Sequence, residues 1–186
     1  MSTNQRLEPL SPPYEEETAA LLASRMPPGV PPLVLFRAMA HNPRIAEKMK
    51  NGNLLDRGSI TLREREIVIN RTTALCKSEY EWGVHIAFFA EKAKFSREEI
   101  TSLTFGQAKD AIWNEAERAL IQASDELHQF ANLSDETWAA LSHHFSPSQI
   151  IEIIAIAGYY HTISFMTNAL HLPNEAFGAK FSDYAP

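Results

Sequence analysis

Apolar positions in the second half of the chain recur at three- and four-residue steps. Ile112, Ala116, Ala119, Leu120, Ala123, Leu127 and Phe130 share one stripe, which predicts an amphipathic helix of about five turns. Ser134 opens the next helix, with Glu136 and Trp138 close behind. Ser146-Pro147 then caps a long helix that runs toward Pro173. Its residues Ile150, Ile151, Ile153, Ile154, Ile156 and Ala157 leave hardly any polar face, so it is expected at the centre of a subunit or of an oligomer. In the first half, Thr61 followed by Glu64 has capping-box spacing and announces a helix through Glu66, Ile67 and Ile69 toward Cys76. Lys77-Ser78-Glu79 breaks or bends it. A further helix carries Glu81, Trp82, His85, Phe88, Phe89 and Lys92, and Ser96 with Glu99 opens a short one ending near Gly106.

The N-terminal part is more broken. Tyr14 to Arg25 predicts a short amphipathic helix stopped by Pro27-Pro28-Gly29, Leu33 to Ala40 a second, and Asn42-Pro43 a third, through Lys50, ended by Asn51-Gly52-Asn53. No segment reads as a strand. The expectation is an all-α chain, a compact multi-helix domain of about seven to nine helices. Residues 1–32 form an N-terminal extension with a short helix, residues 33–173 the helical domain, and residues 174–186 a C-terminal tail.

Composition narrows the chemistry. With 186 residues one domain suffices, and a single cysteine, Cys76, allows no internal disulfide. The formal charge of −6, with no basic patch, speaks against nucleic acid or an anionic membrane as partner. No apolar run suggests a membrane span, and Met1 to Pro13 lacks the apolar core of a signal peptide, so a cytoplasmic protein is expected.

The informative segment is Arg63-Glu64-Arg65-Glu66-Ile67-Val68-Ile69-Asn70-Arg71-Thr72, followed by Ser78-Glu79-Tyr80-Glu81-Trp82-Gly83-Val84-His85. It resembles the carboxymuconolactone decarboxylase and alkylhydroperoxidase D-like family, in which a Glu on one helix precedes a His on the next by nineteen residues. Glu66 and His85 match that pair. The resemblance continues through Asp125-Glu126-Leu127-His128, Trp138 to Leu141, Gly158-Tyr159-Tyr160 and Asn168-Ala169-Leu170. In the alkylhydroperoxidase D branch a Cys-x-x-Cys pair lies between that Glu and His. Its two positions are Ser78 and Glu81 here, so a dithiol mechanism within one chain is not available. The resemblance implies the decarboxylase-like branch, a helical oligomer (a trimer or hexamer, with a dimer as the smaller alternative), and a small-molecule substrate.

Spacing alone adds a separate argument. If residues 78 to 90 are helical, Ser78, Glu81 and His85 present a hydroxyl, a carboxylate and an imidazole along one stripe. A carboxylate and an imidazole held together are the parts of general acid–base catalysis; the bland alternative is a structural i,i+4 pair. For the decarboxylation that the resemblance implies, departing carbon dioxide leaves its electrons to a lactone carbonyl, and no cofactor is required. His85 is then the proton donor or oxyanion partner and Glu81 its proton-sharing neighbour, while Glu66 orients a ligand group or the His. Arg71 or Tyr80 serves as substrate-orienting donor, Trp82 as apolar wall and Ser78 as a further binding residue. Tyr160 is a candidate pocket residue, with a core position as its plainer reading.

No HExxH or comparable metal motif appears among His143-His144, Glu152, His161 and His171, and no metal is expected. Cys76 is expected to be a buried small hydrophobe. Two further readings stay open: a peroxide-reducing protein that uses Cys76, and a non-catalytic helical oligomer that binds a small ligand. The Glu152–His171 interval also repeats that of Glu66–His85, which raises an internal duplication as a possibility to test.

Overall fold

The computed structural model describes residues 5–27 and 29–186. Among them lie nine α-helices and no strand: α1 Glu16–Ala23, α2 Val34–Met39, α3 Pro43–Asn51, α4 Leu62–Leu75, α5 Glu79–Phe89, α6 Arg97–Phe105, α7 Glu115–Phe130, α8 Asp135–His144 and α9 Pro147–Ala169. A single 3-10 turn follows at Phe181–Asp183.

The starts are written in capping chemistry. Asn42 accepts from the Ile45 amide ahead of Pro43, and Thr61–Glu64 and Ser96–Glu99 form reciprocal boxes. Ser134 caps α8, and Ser146 with Gln149 boxes α9. The start of α7 differs from the expectation. α7 begins at Glu115 rather than at Ile112, because Asn114 and Glu117 make the box that opens it.

The hub is α4, which packs on α5, α6, α7 and α9. Every residue from Arg65 to Thr73 is buried, so the helix is enclosed on all sides although two thirds of that run is polar. Within the subunit the enclosed helix is therefore α4 rather than α9. On α9 the buried residues Ile150, Ile153, Ile156, Ala157, Tyr160, Ile163, Ser164 and Thr167 keep helical spacing and form one inward face. Ile151 and Phe165 stand 70% and 63% exposed on the other. By length and composition alone α9 could cross a membrane, which the sequence reading did not anticipate; less than half of that window is buried within the chain.

The turn between α4 and α5 sets how these helices face one another. Lys77 adopts the left-handed conformation (φ 54°), the Lys77 amide donates to Ala74 O and the Ser78 amide to Thr73 O. This is a Schellman closure with lysine where glycine is usual. It reverses the chain within three residues and lays α5 against α4.

The C-terminal segment is strapped over the outer side of α5. Tyr80 Oη donates to Glu175, Asn174 Nδ2 donates to Glu79 Oε1, and the Phe181 amide donates to Glu79 Oε2. The Ala179 amide reaches Gly83 O at 3.1 Å, and a Cβ at position 83 would stand 2.2 Å from Ala179 O, so only glycine permits this approach. The suggested duplication finds no counterpart. Glu66 and His85 meet across two helices, whereas Glu152 lies near the start of α9, bonded to Ser59, and His171 lies beyond its end.

Candidate active site

Glu66 on α4 and His85 on α5 meet in the interior. Glu66 Oε2 lies 2.8 Å from His85 Nδ1, and the two residues are 0% and 3% exposed. The other imidazole nitrogen, Nε2, lies 3.5 Å from Glu81 Oε1 one helical turn earlier. Arg65 completes the row: its Nε and one terminal nitrogen donate to Glu66 Oε1 at 3.2 and 3.1 Å, and its other arm donates to Leu55 O. Asn70 Nδ2 donates to the Glu66 carbonyl. Four side chains thus alternate in charge, Arg65, Glu66, His85 and Glu81, which lets them share a site almost free of water.

Burial, the largest influence on His85, favours its neutral form. The charge of Glu66, its hydrogen bond and then Glu81 together outweigh burial and raise the pKa from 6.5 to about 9. His85 is therefore an imidazolium at neutral pH, with Glu66 and Glu81 as its two acceptors. A group whose pKa rises on folding stabilises the fold in full below its unfolded pKa and loses that contribution as pH climbs through the folded one. The urea midpoint is accordingly expected to fall between about pH 7 and pH 9.5, and to fall much less in His85→Gln. Equal pH profiles for the two proteins would rule out this role for His85.

Next to the row lies a recessed cavity of about 160 Å³ whose lining includes Arg25, Phe36, Lys50, Glu81, Tyr159 and Tyr160. Glu81 belongs both to this wall and to the His85 pair. His85 itself stands behind Glu81, with Tyr160 packed edge-on against its ring at 4.9 Å between centroids. Burial, ahead of the nearby carboxylates, raises the Tyr160 phenol well above its ordinary pKa, so it stays a neutral donor. The Tyr159 hydroxyl donates to Met49 O. At the cavity's edge, Arg25 donates to Ala46 O and stacks over Phe36, and Lys50 Nζ donates to Ser24 Oγ. A larger depression of about 510 Å³ between α7 and α8 is an open surface groove with mixed charges, among them Lys109, Glu115, Arg118 and Glu126. It holds no comparable acid–base pair.

The structure therefore brings together Glu66, Glu81, His85 and Tyr160 and leaves the other four sequence candidates elsewhere. Arg71 is committed to Asp125 through Nε at 2.5 Å and a second nitrogen at 3.1 Å, and to the carbonyls of Leu103 and Gly106. It ties α4 to α6 and α7 and does not line the cavity. Tyr80 spends its hydroxyl on Glu175 and the Leu35 amide. Trp82 is wholly buried against Phe181 and Tyr184 under the C-terminal strap, so it walls no cavity. Ser78 is the α5 N-cap residue, buried, with its hydroxyl 2.8 Å from that of Thr167 on α9. Cys76 corrects another expectation: it is half-buried at the end of α4 beside His128 and not a core residue.

Arg65, Asn70, Arg25 and Lys50 were missed. Asn70 follows Glu66 by one helical turn and Arg65 adjoins it, so both had a local signal. Arg25 and Lys50 come from α1's end and α3 and had none.

Comparison with known proteins agrees with this architecture. Among solved structures, the alkylhydroperoxidase AhpD core protein from Ralstonia eutropha JMP134, described as an uncharacterized peroxidase-related protein, superposes with a TM-score of 0.76. The two are 18% identical, over 92% of this chain and 93% of that one. A peroxidase-related protein from Silicibacter sp. TM1040 gives 0.75 at 19% identity, with 95% of both chains covered. The debrominase Bmp8, in a cysteine-to-alanine variant bound to 2,3,4-tribromopyrrole, gives 0.68 at 22% identity, again over 95% of each. At these identities the likeness is one of fold. No curated protein matches the sequence at a significant level. Residues 43–125, which run from α3 into α7 and include Glu66, Glu81 and His85, match the model of the carboxymuconolactone decarboxylase family. Over that span, a little under half of the chain, the sequence is similar to the carboxymuconolactone decarboxylase family, and the fold is the AhpD-like all-helical one.

Proposed function

We propose that the protein is a cofactor-independent lyase that removes carbon dioxide from a small carboxylated lactone or ring acid. The observation that carries this reading is the double position of Glu81, in the cavity wall and within reach of an imidazolium. A cavity of about 150 Å³ holds a benzene-sized molecule, so one of about 160 Å³ fits a single substituted ring. The debrominase of the same fold holds a one-ring molecule, which is consistent in size. Arg25 and Lys50 at the edge would draw an anionic substrate inward.

In the reaction the bond between ring carbon and carboxylate breaks, carbon dioxide leaves, and the electron pair enters the conjugated carbonyl as a dienolate. Apolar walls from Leu35, Phe36 and Ile163 desolvate the scissile carboxylate, and the neutral Tyr160 phenol donates to the developing oxyanion. Glu81 takes the proton of the His85 imidazolium and passes it to carbon, and His85, which Glu66 holds in place, regains a proton from solvent between turnovers.

The peroxide-reducing alternative is weaker. Cys76 has no second thiol in the chain with which to close a disulfide, and burial raises its pKa, outweighing the opposite pull of Ser164. The test is carbon dioxide release from a panel of carboxylated lactones and ring acids in buffer with chelator. Turnover is expected on at least one member, with Arg25→Met raising KM about tenfold at little change in kcat, as loss of a binding contact requires. A panel without any turnover sinks the lyase reading.

A further inference from the structure

At the C-terminal end of α4, three potential ligands converge from three helices. Cys76 caps α4, His128 lies in the last turn of α7 and His161 in the middle of α9. His128 Nδ1 is 3.0 Å from His161 Nε2 and 3.7 Å from Cys76 Sγ, and all three ligand atoms lie within 4.8 Å of one another. We propose that Cys76, His128 and His161 form a binding site for a borderline divalent transition metal of the zinc type, with a fourth position open to solvent.

The spacing fits such an ion. Zinc bond lengths of about 2.3 Å to sulfur and about 2.0–2.1 Å to nitrogen, set at tetrahedral angles, place sulfur and nitrogen about 3.6 Å apart and two nitrogens about 3.4 Å apart. The observed separations of 3.7 and 3.0 Å need only small side-chain shifts to reach those values.

The protonation pattern fits as well. His161 Nδ1 donates to Ala157 O at 2.8 Å, which fixes the tautomer and leaves Nε2 with a lone pair facing the cluster. A histidine whose second nitrogen is held by a backbone carbonyl is the usual outer support of a metal ligand. His128 Nδ1 faces both other ligand atoms, whereas one ring nitrogen can serve only one hydrogen-bond partner at a time. A cation at the centroid satisfies all three.

Metal binding would release the Cys76 proton to solvent and leave a thiolate, so that one sulfur anion and two neutral imidazoles surround a dication. His128 is exposed and Cys76 and His161 are half-buried, so the ion can enter from solvent and one coordination position faces water. The site is separate from the Glu66–His85–Glu81 row and does not depend on the lyase reading. It would tie together the ends of α4, α7 and α9, so loading should stabilise the fold.

The test uses the full chain, freed of metal by chelator and dialysed, then titrated with Co²⁺. One equivalent per chain is expected to produce visible ligand-field bands and a thiolate-to-cobalt charge-transfer band, and Zn²⁺ should displace both. Cys76→Ser should abolish the charge-transfer band, and His128→Ala and His161→Ala should each weaken binding at least about tenfold. His128 is exposed, so its replacement tests the site without disturbing the core. Zn²⁺ should also raise the melting temperature of the wild type and leave that of Cys76→Ser unchanged. The proposal is overturned by the absence of a saturable band, by binding that survives His128→Ala undiminished, or by binding lost instead on changing His143 and His144.

Discussion

Glu66→Leu is expected to lower the unfolding free energy by about 3–5 kcal/mol, the usual cost of removing one partner from a buried ionic group. Glu66 is wholly enclosed and is the only anion between two cations: Arg65 donates to one of its oxygens and His85 lies against the other. The two cations respond differently to its loss. His85 can shed its proton, whereas Arg65, 8% exposed, cannot and is left charged with only Leu55 O and the face of Phe89 as partners. Glu66→Gln, which keeps the shape and one acceptor oxygen, should cost less. Because the residues act as a group, Glu66→Leu combined with His85→Leu should destabilise by less than the sum of the single changes. Urea unfolding with an unchanged slope measures all three, and a loss below about 1 kcal/mol for Glu66→Leu would show that water reaches the row.

How much of this was visible in the sequence depends on whether the cause is local. The helix starts at Asn42, Thr61, Ser96, Ser134 and Ser146 were legible because a cap is a contact between a residue and the amide two or three positions on. The Asn114–Glu117 box carries the same signal and was overrun by the apolar stripe that begins at Ile112. The central place of α4 was hidden for a different reason. Its polar residues pair with groups far along the chain, Arg71 with Asp125 and Glu66 with His85, and hydrophobic periodicity does not register a core built from paired charges.

On α5 the stripe argument joined Glu81 to His85 and failed for its neighbours, because this helix is covered on several faces. Tyr80 and Val84 join one apolar cluster and Trp82 and Ile86 another, beneath a C-terminal strap that no local pattern announces. The cavity was the least legible feature. Its walls come from α2, α3, α5 and α9 and from the end of α1, so Arg25 and Lys50 gain their meaning only once the chain has folded. The same holds for Cys76, His128 and His161, whose spacings of 52 and 33 residues match no motif.

Glu81→Gln is expected to reduce kcat by about 10²–10⁴-fold, the range that a positioned proton donor contributes, while the protein stays folded. Glu81 is at the cavity end of the charged row, 7% exposed, and its amide analogue can still accept from His85. The change therefore removes the proton relay between His85 and the cavity and little else. If Glu81 hands protons to the substrate, KM should change far less than kcat, since binding rests on Arg25, Lys50 and the apolar wall. The pH dependence gives a second readout. In the wild type the rate should fall as pH rises through about 9, where His85 loses the proton with which it recharges Glu81. In Glu81→Gln the residual rate should no longer follow that titration, because the link between imidazolium and cavity is cut. A variant that keeps wild-type kcat, or loses rate yet retains the alkaline limb, would remove Glu81 from the proton path and leave the row a purely structural charge network.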